Sequence, residues 1–206
     1  MSQMELDHIA VSAGTLAEAT AHVQTALGVP LQKGGEHAVF HTHNTLLGLE
    51  DGLYLEAIAV NPAAPTPDRP RWFDLDRFTG APRLTNWICR CADLDATLAA
   101  LPESFGAPVS LQRGDLRWRM AVPEDGVLPF DNCAPALIEW EGDAHPAPLL
   151  TQQGARLDRL TVWHPASDKL KSMLAPHLDD PRVHFETGAA GLEAQFTVAG
   201  TTKALR

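Results

Sequence analysis

Residues 6–11 (LDHIAV) have the pattern of a short, mostly apolar β-strand, and this pattern recurs twice along the chain. Residues 84–89 (LTNWIC) and 157–162 (LDRLTV) share it. A helix pattern follows the first two strands at the same distance, opening at Leu16 and at Leu94. Similarity at so long a period is typical of a duplicated supersecondary unit, so we expect a chain built from repeated modules.

The local signals mark where elements of the first module begin and end. Thr15 and Glu18 form a capping-box pattern at the start of the first helix, and Gly28 suits its end. Asp51 and Gly52 tolerate the positive φ angles of a tight hairpin turn between two strands.

Each full module therefore has the order strand, helix, three strands, while the third unit has two strands after its helix. The strands after the helices are predicted at 38–43, 46–50 and 53–60, at 108–113, 116–122 and 136–141, and at 182–187 and 192–199. We expect an α+β chain of paired βαβββ modules and a truncated third βαββ unit, forming one compact protein. The predicted boundaries are 1–60 for the first module, 61–83 for a Pro-rich connector, 84–150 for the second module and 151–206 for the third unit.

The composition narrows the class of function. The 16 Lys and Arg residues against 26 Asp and Glu residues give a net charge of −10, which disfavours nucleic acid and anionic membranes as partners. Three cysteines without metal-ligand spacing and the lack of a signal-peptide pattern lead us to expect a cytoplasmic protein. No phosphate-binding glycine motif is present, and Gly34-Gly35 is predicted to be a loop, so we expect no nucleotide cofactor.

Strand alternation places polar groups on the face away from the helices. In the first strand His8 shares a face with Ala10, and in the last strand of the first module Glu56 shares a face with Tyr54. A buried, ionised glutamate is costly without a partner, which is the physical reason to expect a cation nearby.

The second module extends this site. Aligned on the first module, Asn86 takes the place of His8, and Glu139 takes the place of Glu56. Pseudo-symmetric packing would bring these four side chains together, and their donor set suits Mn, Fe, Ni, Mg or a mixed-ligand Zn. Alternatively, Arg90 pairs with Glu56 or Glu139, and the site holds an ion-pair network instead of a metal.

Further polar and aromatic side chains are candidates for substrate contacts. His41 and His43 share a strand face and would supply an extra ligand or a general base, or else form a solvated pair. Arg117 and Arg119 would clamp a carboxylate, or else face solvent at a sheet edge. The full set of predicted substrate-binding residues is Tyr54, Asn86, Arg90, His41, His43, Arg117, Arg119 and Trp72.

Several short motifs, taken in order, resemble the glyoxalase-like domain family of the vicinal oxygen chelate superfamily, which includes glyoxalase I and extradiol dioxygenases. The motifs are residues 6–8 (LDH), 43–44 (HN), 54–56 (YLE), 71–73 (RWF), 138–140 (IEW) and 145–146 (HP), and the resemblance covers about residues 5–150. It implies a cup of curved mixed sheets in which the first and last strands of each module hold a divalent metal. His8, Glu56 and Glu139 match the ligand positions, and Asn86 departs from the residues usual there.

Two functions follow as expectations. The first is a metal-dependent enzyme of the isomerase, lyase or dioxygenase type, in which Mn, Fe, Ni or Zn polarises a small oxygenated substrate and Glu56 or Glu139 moves the proton. The second is a metal-free protein that binds or sequesters a small molecule in the same cup. A relative whose cup packs against a partner is a third reading, and the exposed edges of the third unit suggest a homodimer.

Overall fold

The order strand, helix, three strands is present in both full modules of the computed structural model, which describes residues 4–206. The first module consists of β1 (Met4–Ser12), α1 (Leu16–Leu27), β2 (Gln32–His37), β3 (Thr42–Gly48) and β4 (Tyr54–Val60). The second consists of β5 (Arg83–Cys91), α2 (Leu94–Ala100), β6 (Ala107–Arg113), β7 (Leu116–Val122) and β8 (Ala136–Trp140). The third consists of β9 (Ala155–Trp163), α3 (Ser167–Leu174), β10 (Val183–Glu186), β11 (Gly191–Val198) and β12 (Thr201–Leu205).

The predicted start and stop signals of the first helix are confirmed. The N–H of Glu18 donates to Oγ1 of Thr15 at 3.2 Å, which satisfies one of the free donors at the helix start. The helix ends at Gly28, whose φ of 76° is the left-handed conformation expected after a last turn. Ala19, Val23 and Leu27 form the buried stripe that packs α1 against the sheet.

One curled sheet joins the two modules. Its eight strands run in the order β2-β3-β4-β1-β5-β8-β7-β6, with β1 and β5 antiparallel at the centre. Within each module the first and last strands are parallel, β1 with β4 and β5 with β8. The two edge strands, β2 and β6, contact each other, so the sheet closes into a cup whose floor is the central strand pair.

The third unit differs from the predicted truncated copy. It has one more strand than expected, β12, and its four strands form a separate sheet in the order β10-β9-β11-β12. Here the strand that directly follows the helix, β10, is parallel to β9, whereas in the full modules the last strand takes that position. Residues 201–205 (TTKAL) lack the apolar alternation that would have predicted β12.

The strand after α1 was also misplaced by the sequence analysis. The predicted strand at 38–43 is largely a turn, and β2 lies earlier, across the Gly34-Gly35 pair that was expected to form a loop. The pairing of β2 with β3 is irregular between Lys33 and Glu36, which is where the two glycines lie.

No helix within residues 4–206 is long and apolar enough to cross a membrane.

Candidate functional site

An irregularity in the first strand buries two neighbouring polar residues, Asp7 and His8. The register between β1 and β5 shifts between Leu6 and His8, so the side chains of Asp7 and His8 reach each other and both are buried. Oδ1 of Asp7 lies 2.6 Å from Nδ1 of His8. Oδ2 of Asp7 accepts hydrogen bonds from Nε2 of His145 at 3.0 Å and from Nε1 of Trp140 at 3.1 Å.

These hydrogen bonds fix the charge of Asp7 and the tautomer of His8. Burial acts to raise the pKa of Asp7, but the hydrogen bonds from His145 and His8 outweigh it and hold the pKa well below its ordinary value. Because the ionised carboxylate accepts from Nδ1, the proton of a neutral His8 is assigned to Nδ1, and the lone pair on Nε2 points into the cup.

Glu56 on β4 faces His8 from the neighbouring strand. Its Oε2 lies 3.8 Å from Nε2 of His8, and its Oε1 lies 3.9 Å from Nε2 of His37. The amide Nδ2 of Asn44 donates to Oε1 at 2.5 Å. One carboxylate oxygen is thus held by Asn44, and the other is directed toward His8.

His37, at the end of β2, is a buried neutral histidine. Its Nε2 lies 3.4 Å from both Nδ2 of Asn44 and Nη1 of Arg113, and both of these groups are hydrogen-bond donors. Nε2 therefore carries a lone pair, and Nδ1 donates to Oγ1 of Thr42 at 2.9 Å. Burial, aided by the charge of Arg113, lowers the pKa of His37 from 6.5 to about 3.

The Gly34-Gly35 pair makes room for the side chains that close the cup. A Cβ at Gly34 would lie 1.9 Å from Oδ1 of Asn44, and a Cβ at Gly35 would lie 2.5 Å from Cδ of Arg113. The N–H of Gly35 donates to Oδ1 of Asn44 at 2.8 Å, and Nη1 of Arg113 donates to the same oxygen at 3.2 Å. Arg113 thus crosses from β6 to β2 and ties the two edges of the sheet together.

These groups surround a small cavity of about 30 Å³. Tyr54 stacks on His8 with ring centroids 4.2 Å apart. The remaining wall is aromatic and apolar, formed by Trp72, Phe73, Trp118, Met120, Ile138 and Trp140. A space of this size holds about one water-sized group. The cup therefore suits the polar head of a small molecule.

Among the predicted site residues, four line this cavity: His8, Tyr54, Glu56 and Trp72. Glu139 does not, and its predicted place beside Glu56 is wrong. Alternation in β8 points Ile138 and Trp140 into the cup, so Glu139 faces the helix side. There its Oε2 accepts from the N–H of Leu94 and from Nη2 of Arg119, each at 2.7 Å.

The predicted arginine contacts are corrected for a similar reason. Arg117 and Arg119 lie on the face of β7 opposite the cup, and Arg119 pairs with Asp95 at 2.8 Å as well as with Glu139. Arg90 pairs with Glu5 at 2.7 Å instead of with Glu56 or Glu139.

The remaining predicted contacts also lie elsewhere. His43 lies on the opposite face of β3 from Asn44, and His41 lies in the preceding turn, where its Nδ1 contacts the carbonyl of Pro65 at 2.5 Å. Asn86 is buried, but it lines a different cavity.

Four residues of the candidate site were not predicted from the sequence: Asp7, His37, Asn44 and Arg113. The alternation of Thr42, Asn44 and Leu46 marks the cup face of β3, and this signal was available in the sequence. His37 was not predicted because the Gly34-Gly35 pair before it was expected to form a loop. No local pattern would have found Arg113, whose role depends on the closure of the sheet.

The register explains why the second module adds no metal ligand. His8 pairs directly with Ile88 across the antiparallel centre of the sheet. Ala10 pairs in the same way with Asn86, so the two-fold relation between the modules matches His8 with Asn86 and Ala10 with Ile88. Glu56 pairs with Ala10 and Ala136 pairs with Ile88, so Ala136 takes the place of Glu56. Asn86 lines the other cavity instead of the cup. The fold is duplicated, but the polar chemistry is not.

The side chains around the cup do not fit a divalent metal. Within residues 4–206, no group of three or more His, Cys, Asp or Glu side chains is arranged to hold a metal ion. The third potential ligand near Glu56 is His37, whose Nε2 faces the guanidinium of Arg113. A metal ion bound to that nitrogen would lie next to a positive charge, which opposes its binding.

A cup made of two βαβββ modules around antiparallel central strands is the vicinal oxygen chelate fold. The sequence profile described as "Glyoxalase-like domain" matches residues 6–178. The chain belongs to the glyoxalase-like domain family, as the sequence motifs predicted. No curated protein sequence matches it.

Several solved structures are similar to this chain. A hypothetical protein from Staphylococcus aureus is 14% identical, with a TM-score of 0.63 over 91% of this chain and 87% of its own. A variant of 4-hydroxymandelate synthase from Streptomyces coelicolor is 16% identical, with a TM-score of 0.51 over 98% of this chain and 62% of its own. Methylmalonyl-CoA epimerase from Mycobacterium tuberculosis is 18% identical, with a TM-score of 0.40 over 68% of this chain and 88% of its own.

Proposed function

We propose that the cup is the active site of a proton-transfer enzyme, of the isomerase or lyase type, which acts on a small carbonyl compound bearing a carboxylate and takes no step through a metal. The observation that carries this proposal is the Asp7–His8 pair. An ionised carboxylate, 2.6 Å from Nδ1, leaves the Nε2 lone pair of His8 facing Oε2 of Glu56 across 3.8 Å. Two proton acceptors with a polar gap between them are suited to relay a proton.

The unpaired positive charge of Arg113 supports the proposal that the substrate is an anion. Among residues 4–206 it has no ion-pair partner, although it is partly buried beside His37 and Asn44. A partly buried, unpaired cation favours an anionic ligand. The cavity of about 30 Å³ admits about one water-sized group, such as a single oxygen of the substrate carboxylate or carbonyl, and the rest of the substrate stays outside it.

The proton transfer then follows from the geometry. Oε2 of Glu56 takes a proton from the carbon next to the substrate carbonyl, and the C–H electron pair forms the enolate. Arg113, which lines the cavity beside His37, stabilises the enolate oxygen. The proton passes from Glu56 to Nε2 of His8, exchanges with solvent, and returns to the carbon.

Metal-free binding without turnover is the second candidate. The aromatic walls and the unpaired charge of Arg113 favour it, because both stabilise a bound small anion without any chemical step.

Exchange of the methyl protons of pyruvate in D2O, followed by proton NMR on chelator-treated protein, tests the proposal. We expect exchange above the buffer rate, and a loss of about 100-fold or more in His8→Asn and Glu56→Gln. In Arg113→Met the KM for pyruvate should rise more than kcat falls. Glu139→Gln is the matched control, since it removes a carboxylate that faces away from the cup.

Two results would count against the enzyme. Saturable pyruvate binding with exchange at the buffer rate would support the binding protein instead. Equal losses in Glu139→Gln and Glu56→Gln would show that the exchange does not take place in the cup.

A further inference from the structure

A second and larger cavity, of about 650 Å³, lies beside the cup. Phe73 belongs to the walls of both cavities. The larger cavity is also lined by Asp74 and Phe78 from the connector, by Asn86 from β5, and by Asn132 from the loop that precedes β8. None of the groups assigned to proton transfer lines it.

Asn86 is an unpartnered polar side chain in the wall of this cavity. Its side chain is 1% exposed, and neither its Nδ2 nor its Oδ1 has a hydrogen-bond partner within the described chain. Nε2 of His22, from α1, lines the same cavity and likewise has no partner among those residues. Buried polar groups are nearly always hydrogen-bonded, so an unpaired amide in a cavity wall calls for a ligand-binding explanation.

The backbone around the cavity adds an independent observation. Phe73 and Asp74 have φ angles of 58° and 56°, and Phe130, Asp131 and Asn132 have φ angles of 56°, 53° and 65°. This left-handed conformation is unfavourable for residues other than glycine, and such residues cluster at functional sites. The two segments meet where Nδ2 of Asn132 donates to Oδ2 of Asp74 at 3.3 Å.

The chemistry of the wall specifies the class of ligand. A free carboxamide presents a donor and an acceptor side by side, and its complement is the edge of a lactam or another amide. The rings of Phe73 and Phe78 offer apolar surface to a flat molecule. Arg83 lies over the ring of Phe78 at 4.3 Å and has no carboxylate partner in residues 4–206, so it can bind an anionic group.

We infer that this cavity is a second binding site, which takes a planar heterocyclic anion with a lactam edge through Asn86 and Arg83. This inference does not rest on the proposed proton transfer in the cup.

Isothermal titration of the whole protein with three probes tests the inference. Orotate carries both a lactam edge and a carboxylate, uracil carries the lactam edge alone, and benzoate carries the carboxylate alone. We expect orotate to bind most tightly, and Asn86→Leu to weaken orotate by about tenfold or more while leaving benzoate unchanged. His8→Asn should bind orotate as the wild type does, which separates this site from the cup.

Thermal unfolding distinguishes a ligand-binding amide from a structural one. Asn86→Leu removes two unpaired buried polar atoms, so without ligand its Tm should rise by about 2–4 °C. Asn61→Leu is the matched control, since the buried Oδ1 of Asn61 accepts the N–H of Ala63 at 3.0 Å; its Tm should fall, with orotate binding unchanged. The inference is overturned if orotate does not bind, if Asn86→Leu binds orotate normally, or if the Tm of Asn86→Leu falls.

Discussion

At the scale of single residues, Asp7 contributes more to the stability and geometry of the site than Glu5, which lies two positions before it. Asp7 is fully buried and accepts from His8, His145 and Trp140, whereas Glu5 is exposed and pairs with Arg90 at the surface. Two acids that are only two positions apart therefore have different energetic roles. The buried carboxylate stabilises the fold and orients the histidine, while the surface pair contributes little.

Replacing these two acids measures the difference. Asp7→Asn keeps the shape but weakens three hydrogen bonds to a charged acceptor, so we expect a loss of about 2–4 kcal/mol in the free energy of unfolding. Glu5→Gln should cost about 0–1 kcal/mol. Urea denaturation at neutral pH measures both, and similar losses in the two variants would contradict the assigned role of Asp7.

His37 makes the stability depend on pH in a known direction. Its folded-state pKa is lowered to about 3, so between about pH 6.5 and pH 3 the unfolded chain binds a proton that the folded chain does not. Stability is fully present above the unfolded pKa and falls by up to about 1.4 kcal/mol per pH unit as the pH drops through this window. His37→Gln should flatten the dependence between pH 6 and pH 4 in denaturation curves. An unchanged slope in this variant would contradict burial of a neutral His37.

The candidate site could be predicted from the sequence only in its first module. Alternation placed His8, Tyr54 and Glu56 on one face, and the structure places them together. The same reasoning failed for Glu139 because an odd-numbered shift along a strand moves a residue to the other face of the sheet. The sequence alone does not reveal that Ala136, and not Glu139, corresponds to Glu56, since the register is set by strand pairing.

At the scale of elements, β2 shows how a loop-like sequence becomes a strand. The Gly34-Gly35 pair has weak strand propensity, yet the side chains of Asn44 and Arg113 occupy the space that two Cβ atoms would need. Strand β12 was missed for a related reason, because its pairing with β11 stabilises residues that have no strand pattern of their own. Elements with a clear apolar period, such as α1 and β7, were predicted correctly.

A single methyl group tests the packing around β2. Gly34→Ala would place Cβ 1.9 Å from Oδ1 of Asn44, so we expect a loss of about 2 kcal/mol or more and displacement of Asn44 from Glu56. Gly14→Ala is the matched control, because its Cβ would meet only the flexible end of Glu18, at 3.3 Å. It should change stability by less than about 1 kcal/mol. A tolerated Gly34→Ala, measured by thermal unfolding, would contradict the close approach.

At the scale of the whole molecule, the two modules have the same backbone fold but contribute different side chains to the cup. The first module supplies the Asp7–His8 pair, Glu56 and His37, while the second supplies apolar walls and Arg113. The second-module residues that match His8 and Glu56 are Asn86, which lines another cavity, and Ala136. The duplication that the sequence predicted is present, but Glu139 does not join His8 and Glu56 in the cup.

The most direct test of this division is the rate of pyruvate proton exchange in chelator-treated protein, measured before and after addition of Mn²⁺, Ni²⁺ or Zn²⁺. We expect the chelator-treated protein to exchange pyruvate protons, and we expect added metal to leave that rate unchanged. Exchange that appears only after a metal is added, and that is lost in His8→Asn, would contradict this expectation.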